Sequence, residues 1–392
     1  MKMSNRGLPR SLWALMVGNF VIGTGVMVVP GTLNDISQAL DVSIPQAGQL
    51  ITAAAILMGV GAPVLASLVA GWDRRRLLAL SLLWYGLLTA ACALAPNYAV
   101  LLPLRVLAVI SPAVFTPQAA ASVGLLVGAA QRGRGITFVF LGWSVASVLG
   151  MPMSAWISGE LGWRWAFALV ALMAFASSAW VWRAMPNGIR PAALSRESWG
   201  RTLGSAALMT AVSVTLLSSF GQFVLMAYFA PYIAQVFGGG GVLLSLMLLW
   251  FGVFALAGNM AATHYIDRIG AARTVLISVG CMALTMLLWP LGRHGAWTQA
   301  LVFIPWALGC FAANSAQQAR LVHMSPELAP ATVALNSSAI YGGQAMGAAL
   351  GGVMIAQGGM LRLHEVGLVV LLAAMATSVW AGWLQKRSLA LR

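Results

Sequence analysis

The sequence predicts an all-α membrane protein with twelve transmembrane helices in two pseudo-symmetric halves of six. Three observations carry this. The chain of 392 residues is 60% hydrophobic and only 8% charged, with a mean hydropathy of +0.87, whereas a soluble domain carries about 25% charged residues. Its apolar runs recur at the length of about 20 residues that crosses a bilayer as a helix. Finally, one polar hairpin occurs twice. "GAPVLASLVAGWDRRRLLAL" (61–80) and "GNMAATHYIDRIGAARTVLI" (258–277) both begin at a glycine and place an arginine fifteen positions later, Arg76 and Arg273.

Reading apolar runs against Gly, Pro and charged breakers gives the elements in order. The first run follows the basic flank "MKMSNRGLPR" and imitates a secretory leader. It is too long for one and no small-residue cleavage site follows, so it is expected to be retained as span 1, near 12–33. Spans 2 and 3, near 47–70 and 77–95, flank the first arginine hairpin, and span 4, near 99–125, contains Arg105. Span 5, near 135–158, reads "LGWSVASVLGMPMSAW", and span 6 covers 163–182. The longest polar connection, 183–203, then divides the chain into halves at 1–182 and 204–392. Spans 7 to 12 follow near 205–230, 242–263, 274–291, 299–319, 332–357 and 365–384. The second hairpin falls where the first does, between the second and third spans of its half. Spans 5 and 11 also match, with glycines eight apart in each (Gly142/Gly150 and Gly343/Gly351).

Charge sets the expected orientation. With the N-terminus inside, eighteen Lys and Arg fall in inner segments and three (Arg164, Arg293, Arg362) in outer ones, leaving Arg105 within a span. By the positive-inside rule both termini are cytoplasmic, and the chain is expected to be a multi-pass protein of the plasma (inner) membrane, bathed in lipid. The net charge of +14 is scattered in short clusters between apolar runs. It is therefore not read as a nucleic-acid footprint. Cys92, Cys281 and Cys310 lie in apolar runs with no metal or redox spacing. There is no phosphate-binding loop, metal motif or nucleophile elbow, so neither an enzyme nor a cofactor is expected.

Several stretches resemble the major facilitator superfamily. "HYIDRIGAAR", with Asp267, Arg268, Gly270 and Arg273, is similar to its loop signature, which the first hairpin repeats in altered form with Asp73 and Arg76. "LPLRVLAVI" resembles its fourth-span arginine motif, and "GWSVASVLGMP" the fifth-span glycine–proline motif of its antiporters. "GTGVMVVPGTLNDISQALDVSIPQAGQL" and "LNSSAIYGGQAMGAALGG" look like the twelve-span drug:proton antiporter branch, near sugar and purine efflux permeases. There are departures. Ala70 replaces the usual loop aspartate, Asp73 stands at the usual glycine, and Val26 replaces an acid that many relatives carry in span 1.

The resemblance implies a central cavity lined by spans 1, 4, 7 and 10 and used by alternating access. Polar residues in those spans are the expected substrate contacts, since polar groups in hydrocarbon face protein or a water-filled cavity. They are Asn19, Thr116, Gln118, Gln222, Tyr228, Asn314, Gln317 and Gln318. Each has a plainer reading as an interhelical hydrogen bond. Two stripes of small residues recur every four positions: Gly142, Ala146, Gly150 and Ser154, then Ala339, Gly343, Gly347 and Gly351. Such stripes let helix backbones approach closely, either as fixed packing or as seams that move, and Pro152 can kink span 5.

Arg105 reads as the one charge well inside a span, a functional position by default, and the resemblance ties it to proton coupling. A carbonyl clamp is its structural alternative. None of the eight acids falls in mid-span, which argues against cationic substrates. Asp35, at the outer end of span 1, is the expected proton carrier if protons are used; ending a helix in solvent is its plainer role. The sequence thus points to a secondary transporter exporting a small neutral or weakly polar solute, with protons as the implied partner. Uptake or passive facilitation on the same fold is the alternative, and a transporter-like sensor or assembly factor without flux is another.

Overall fold

Ordinary local chemistry starts and turns the helices, several of which run on past the ends of their apolar runs. In this computed structural model, residues 9–69, 71–127, 132–190, 196–238 and 241–390 are described, and all regular structure among them is helical. Twelve helical segments are long and apolar enough to cross a bilayer. Span 1 is α1 (Arg10–Ala39), span 2 α2 (Ile44–Leu68) and span 3 α3 (Arg74–Ala93). Span 4 is α4 (Tyr98–Ala108) and α5 (Ile110–Leu126), and span 5 is α6 (Arg132–Val145) and α7 (Met151–Leu161) about a wide turn at Ala146–Gly150. Span 6 is α8 (Trp163–Ala184), and a short α9 (Arg196–Leu203) lies in the central connection. Span 7 is α10 (Ala206–Met226) and α11 (Phe229–Phe237), followed by α12 (Gly241–Ile269) and α13 (Ala271–Leu288). The last three spans are α14 (Ala296–Met324), α15 (Ala329–Ala356) and α16 (Leu363–Ala390).

Side chains cap the polar starts. Asp73, Asn97 and Ser205 accept the N–H of Arg76, Val100 and Leu208 at the starts of α3, α4 and α10, which satisfies donors that a helix N-terminus otherwise leaves free. Between spans 5 and 6 and between spans 8 and 9 the chain turns through Gly162 at φ +96° and Gly270 at φ +88°, a region that only glycine adopts freely. Successive spans alternate direction. The face where α1 begins is called proximal here and the opposite face distal.

The small-residue stripes decide the packing within each half. A Cβ on Gly142 would strike the backbone of Met16 and Phe20, and one on Gly150 would strike Thr24. Gly23 of α1 faces Ala146 in return. In the second half Gly343, Gly347 and Gly351 sit against the backbone of Leu216, Phe220 and Val224, in step every four residues. Both stripes therefore join helices of one half: span 5 to span 1, and span 11 to span 7. Faces between the halves lie elsewhere. Gly159 meets Gly241 and Gly252 meets Ser147 and Val148, joining spans 5 and 8, while Gly59 meets Ser338 and Gly342, joining spans 2 and 11.

The wide turn in span 5 has a local cause. Pro152 has no N–H for the Val148 carbonyl, and the N–H of Met151 reaches back five residues to Ala146. Gly252 of α12 packs on the bulged backbone.

A substitution pair tests the packing argument. Gly142→Ala should cost about 1–3 kcal/mol because its methyl group has only rigid backbone to displace. Gly280→Ala should be neutral or stabilise by up to about 1 kcal/mol, since its Cβ would meet only Met375 Cε at 3.6 Å. Thermal unfolding of the two detergent-purified variants would check this, and equal stability would refute it.

Candidate functional site

The interior polar residues fall into two clusters, one per half. In the first, Asn19 is fully buried and donates to the Val139 carbonyl at 3.1 Å. It also accepts from Thr116 Oγ1 at 2.8 Å, and Thr116 in turn accepts from Trp143 Nε1 at 3.3 Å. Spans 1, 4 and 5 are thus tied by one chain of bonds. Gln118, two residues beyond Thr116 and buried, has no hydrogen bond on its amide. In the second cluster Gln222 accepts from Trp306 Nε1 at 3.4 Å, linking spans 7 and 10. Gln317 donates to the Ala211 carbonyl, which leaves its Oε1 buried and unpaired. Asn336 accepts from Thr215 Oγ1 at 2.5 Å and its Nδ2 is unpaired. Asn314 and Gln318, on the same helix as Gln317, are half-buried with free amides. The predicted contacts therefore divide. Asn19, Thr116 and Gln222 are engaged between helices, whereas Gln118, Asn314 and Gln318 keep their amides available.

Arg105 is buried at 2% exposure. Its Nη2 donates to the carbonyls of Gly25 at 2.9 Å and Val26 at 3.3 Å. Proline explains why one of these is free: Pro30 has no N–H to give to the Val26 carbonyl four residues back. The bend in span 1 and the arginine of span 4 are complementary. Nε and Nη1 of Arg105 have no partner, and the unpaired hydroxyl of Tyr85 lies close by over Gly25. Among the described residues no carboxylate pairs with Arg105; the ion pairs are Arg201–Glu327 and Arg362–Glu365.

Asp35 is not in a loop. Helix α1 runs on to Ala39, two turns beyond the apolar run, so Asp35 lies half-buried within it and accepts from Ser158 Oγ of span 5. Nine residues separate it from Val26, about 14 Å along a helix, and this conformation does not bring it to Arg105.

Tyr228 occupies a break in span 7. Pro231 has no N–H for the Ala227 carbonyl, and the helix stops at Met226 and restarts at Phe229. The Tyr228 ring lies against Gly351, its hydroxyl tip reaches Gly48 and Gly352, and it donates to the Ala348 carbonyl at 2.7 Å. Gly48 belongs to span 2, so this tyrosine seals the two halves together on the distal side. The approach of Gly159 to Gly241 closes spans 5 and 8 at the same level.

Residues 15–348 match the family model of the Major Facilitator Superfamily. The chain belongs to that superfamily. It is 31% identical to the chloramphenicol resistance protein of Streptomyces lividans, over 86% of this chain and 88% of that one. To the inner membrane transport protein YdhP of Escherichia coli (strain K12) it is 27% identical, over 88% and 89%. A probable sugar efflux transporter of Pasteurella multocida (strain Pm70) is 23% identical over 94% and 91%. Among solved structures, a D-xylose–proton symporter superposes with a TM-score of 0.74 at 16% identity, covering 94% of this chain and 96% of that chain. At that identity the likeness shows the fold alone. This is a multi-pass membrane transporter and not an enzyme.

In this transporter the signature loops are built for anchoring. Asp73 accepts from the backbone of Arg76 at 3.2 Å and of Gly188 at 2.5 Å, and Arg74 N–H donates to the Ile189 carbonyl at 3.0 Å. Arg75 stacks on Trp182 at 4.8 Å and bonds Asn187 at 2.9 Å. Arg76, Arg268 and Arg273 are exposed, Gly270 forms the second turn, and the Asp267 side chain lies outside the described residues. Sequence reading missed the burial of two further cations, Arg74 and Arg320. Arg320, at 2% exposure near the proximal end of α14, donates to Ser378 Oγ and O at 2.9 and 3.1 Å. It stands at the end of an apolar run, where hydropathy assigns it to the loop.

The Asp73 carboxyl is raised by its partial burial, but the N–H groups of Gly188, Arg76 and Arg75 and the Arg76 charge outweigh this and hold it below its ordinary 3.8. Its contribution is therefore complete at neutral pH and is lost as the pH falls through that lowered value. Asp73→Ala should destabilise by about 1 kcal/mol and release the 185–190 segment. Limited proteolysis there should quicken in the variant; unchanged cleavage would mean that the cap does not hold the segment.

Proposed function

We propose that this transporter exports a small neutral or weakly polar solute by alternating access, in exchange for protons, across the inner membrane. One observation carries the solute class: among the described residues no Asp or Glu is buried. A cationic substrate would find no deep counter-charge, whereas the free amides of Gln118, Asn314 and Gln318 offer neutral hydrogen bonds from spans 4 and 10. Export is supported by two of the relatives, a chloramphenicol resistance protein and a probable sugar efflux transporter. The distal seal at Tyr228 suits a state that loads from the proximal side, which the basic asymmetry assigns to the cytoplasm.

Asp35 is the proposed proton carrier. In the sealed state its carboxylate is held by Ser158 of span 5. Parting of the halves on the distal side would expose it to the outer solution for protonation. Arg105 acts separately, by holding the span 1 bend through two carbonyls. Gly142, Gly150, Pro152, Gly343, Gly347 and Gly351 keep each half rigid while the halves move.

Proteoliposomes with an imposed pH gradient test this directly, with labelled chloramphenicol and a labelled pentose as probes. Asp35→Asn should abolish uphill, pH-driven movement but spare downhill exchange, and Arg105→Ala should impair both. Uphill movement surviving in the Asn variant would remove Asp35 as carrier. Flux independent of pH would point to a facilitator, and no flux with any ligand that stabilises the protein to a non-transporting role.

Orientation is tested by cysteine labelling. Positions in 183–203 and at both termini should react only with reagent on the cytoplasmic side. Labelling of either terminus from outside would reverse every loop.

A further inference from the structure

On the distal side of the second half, five side chains from four spans meet without satisfying one another. Tyr232 of α11 is fully buried with its ring 5.3 Å from that of Trp289. Its hydroxyl lies within reach of both the Arg293 guanidinium and the Trp289 indole but makes a well-formed hydrogen bond with neither. Trp289 Nε1 is buried and unpaired as well. Arg293 donates through Nη2 to the Leu361 carbonyl and leaves Nε buried without a partner. Gln299 is 0% exposed with its amide against Gly292, and neither Oε1 nor Nε2 is bonded. His364, also buried, lies in the field of Arg293 with Nδ1 unpaired. The nearby carboxylate, Glu365, is exposed and bound to Arg362 at 2.9 Å.

Native proteins leave few buried polar groups unpaired, because each unmade bond costs its full desolvation. Six such atoms in one place call for an occupant. Its chemistry follows from the donors. Trp289 Nε1 and Arg293 Nε can only donate, and the Tyr232 hydroxyl and Gln299 Nε2 add two more donors. The one committed acceptor, Gln299 Oε1, suits an accompanying water. Beside a cation and with no buried carboxylate, the fitting guest is negative and compact. We infer that this cluster binds a small monovalent anion of halide size. Tyr232 lies one turn along α11 from Tyr228, so an occupied site ties the sealing segment to spans 9, 10 and 12.

The test needs no transport readout. Full-length protein in a gluconate buffer would be titrated with chloride, bromide or nitrate at constant ionic strength while its Tm is followed. A saturable rise of about 3 °C is expected for the wild type, absent in Arg293→Gln and Gln299→Leu and reduced in Tyr232→Phe. If the first two variants do not fold, the loss of one hydroxyl in Tyr232→Phe still decides. No anion-specific rise in the wild type would mean that water alone fills the cluster, and a rise unchanged in Tyr232→Phe and Gln299→Leu would place binding elsewhere. Either result overturns the proposal.

Discussion

Backbone-to-backbone contact between helices is the constraint on which this fold depends. Lipid tails are as apolar as leucine, so burial of apolar side chains gives helices little reason to associate in a bilayer, and close packing has to supply it. Here Gly142 brings span 5 onto the backbone of span 1 and Gly150 seats it on the Thr24 side chain, and Gly343, Gly347 and Gly351 bring span 11 onto span 7. The chain repeats the same solution in each half. Between the halves the approaches at Gly59 and Gly159 are looser, whereas Gly252 meets Val148 as closely as the glycines within a half meet their partners.

Within that apolar frame, the buried charges are satisfied by oxygen that carries no formal charge. Arg105 leans on two carbonyls of span 1, and Arg320 on the hydroxyl and carbonyl of Ser378. A buried ion pair often fails to repay its desolvation, and a cation held by carbonyls avoids desolvating a carboxylate. The cost is unpaired N–H groups, which Arg105 and Arg320 both retain. Prolines are part of the same economy. Pro30, Pro152 and Pro231 each leave a carbonyl unbonded within a span, and at Pro30 a side chain from another helix takes it up.

The spans were legible because hydropathy over about 20 residues is a strong signal, and the duplication because the hairpins and glycine pairs repeat. Helix ends were less so. The apolar run of span 1 ends at 33, but "LNDISQA" continues the helix, since an end projecting beyond the hydrocarbon can be polar on one face and still hydrogen-bonded throughout. For the same reason hydropathy places Arg320 in a loop, although it lies within α14. The break at Tyr228 did leave a trace, in Pro231 four residues after Ala227, but a proline in an apolar run also reads as a simple kink. Which polar residues remain free could not be read at all. Asn19 and Asn314 look alike in sequence, and only the position of Thr116 and Val139 on neighbouring helices distinguishes them.

The central connection is fastened at both ends. Asp73 and Arg74 hold Gly188 and Ile189 to the first half, while α9 reaches the second through Arg201 and Glu327 at 3.2 Å. Seven peptide steps lie between Ile189 and Arg196, and a chain of that length reaches about 25 Å at full stretch. That sets a leash. If the halves rock as proposed, their proximal rims cannot part further than this tether allows without pulling Gly188 from its cap or breaking the exposed Arg201–Glu327 pair. Such an opening would have a built-in stop, its width set by how many residues separate two anchors rather than by any contact inside the bundle.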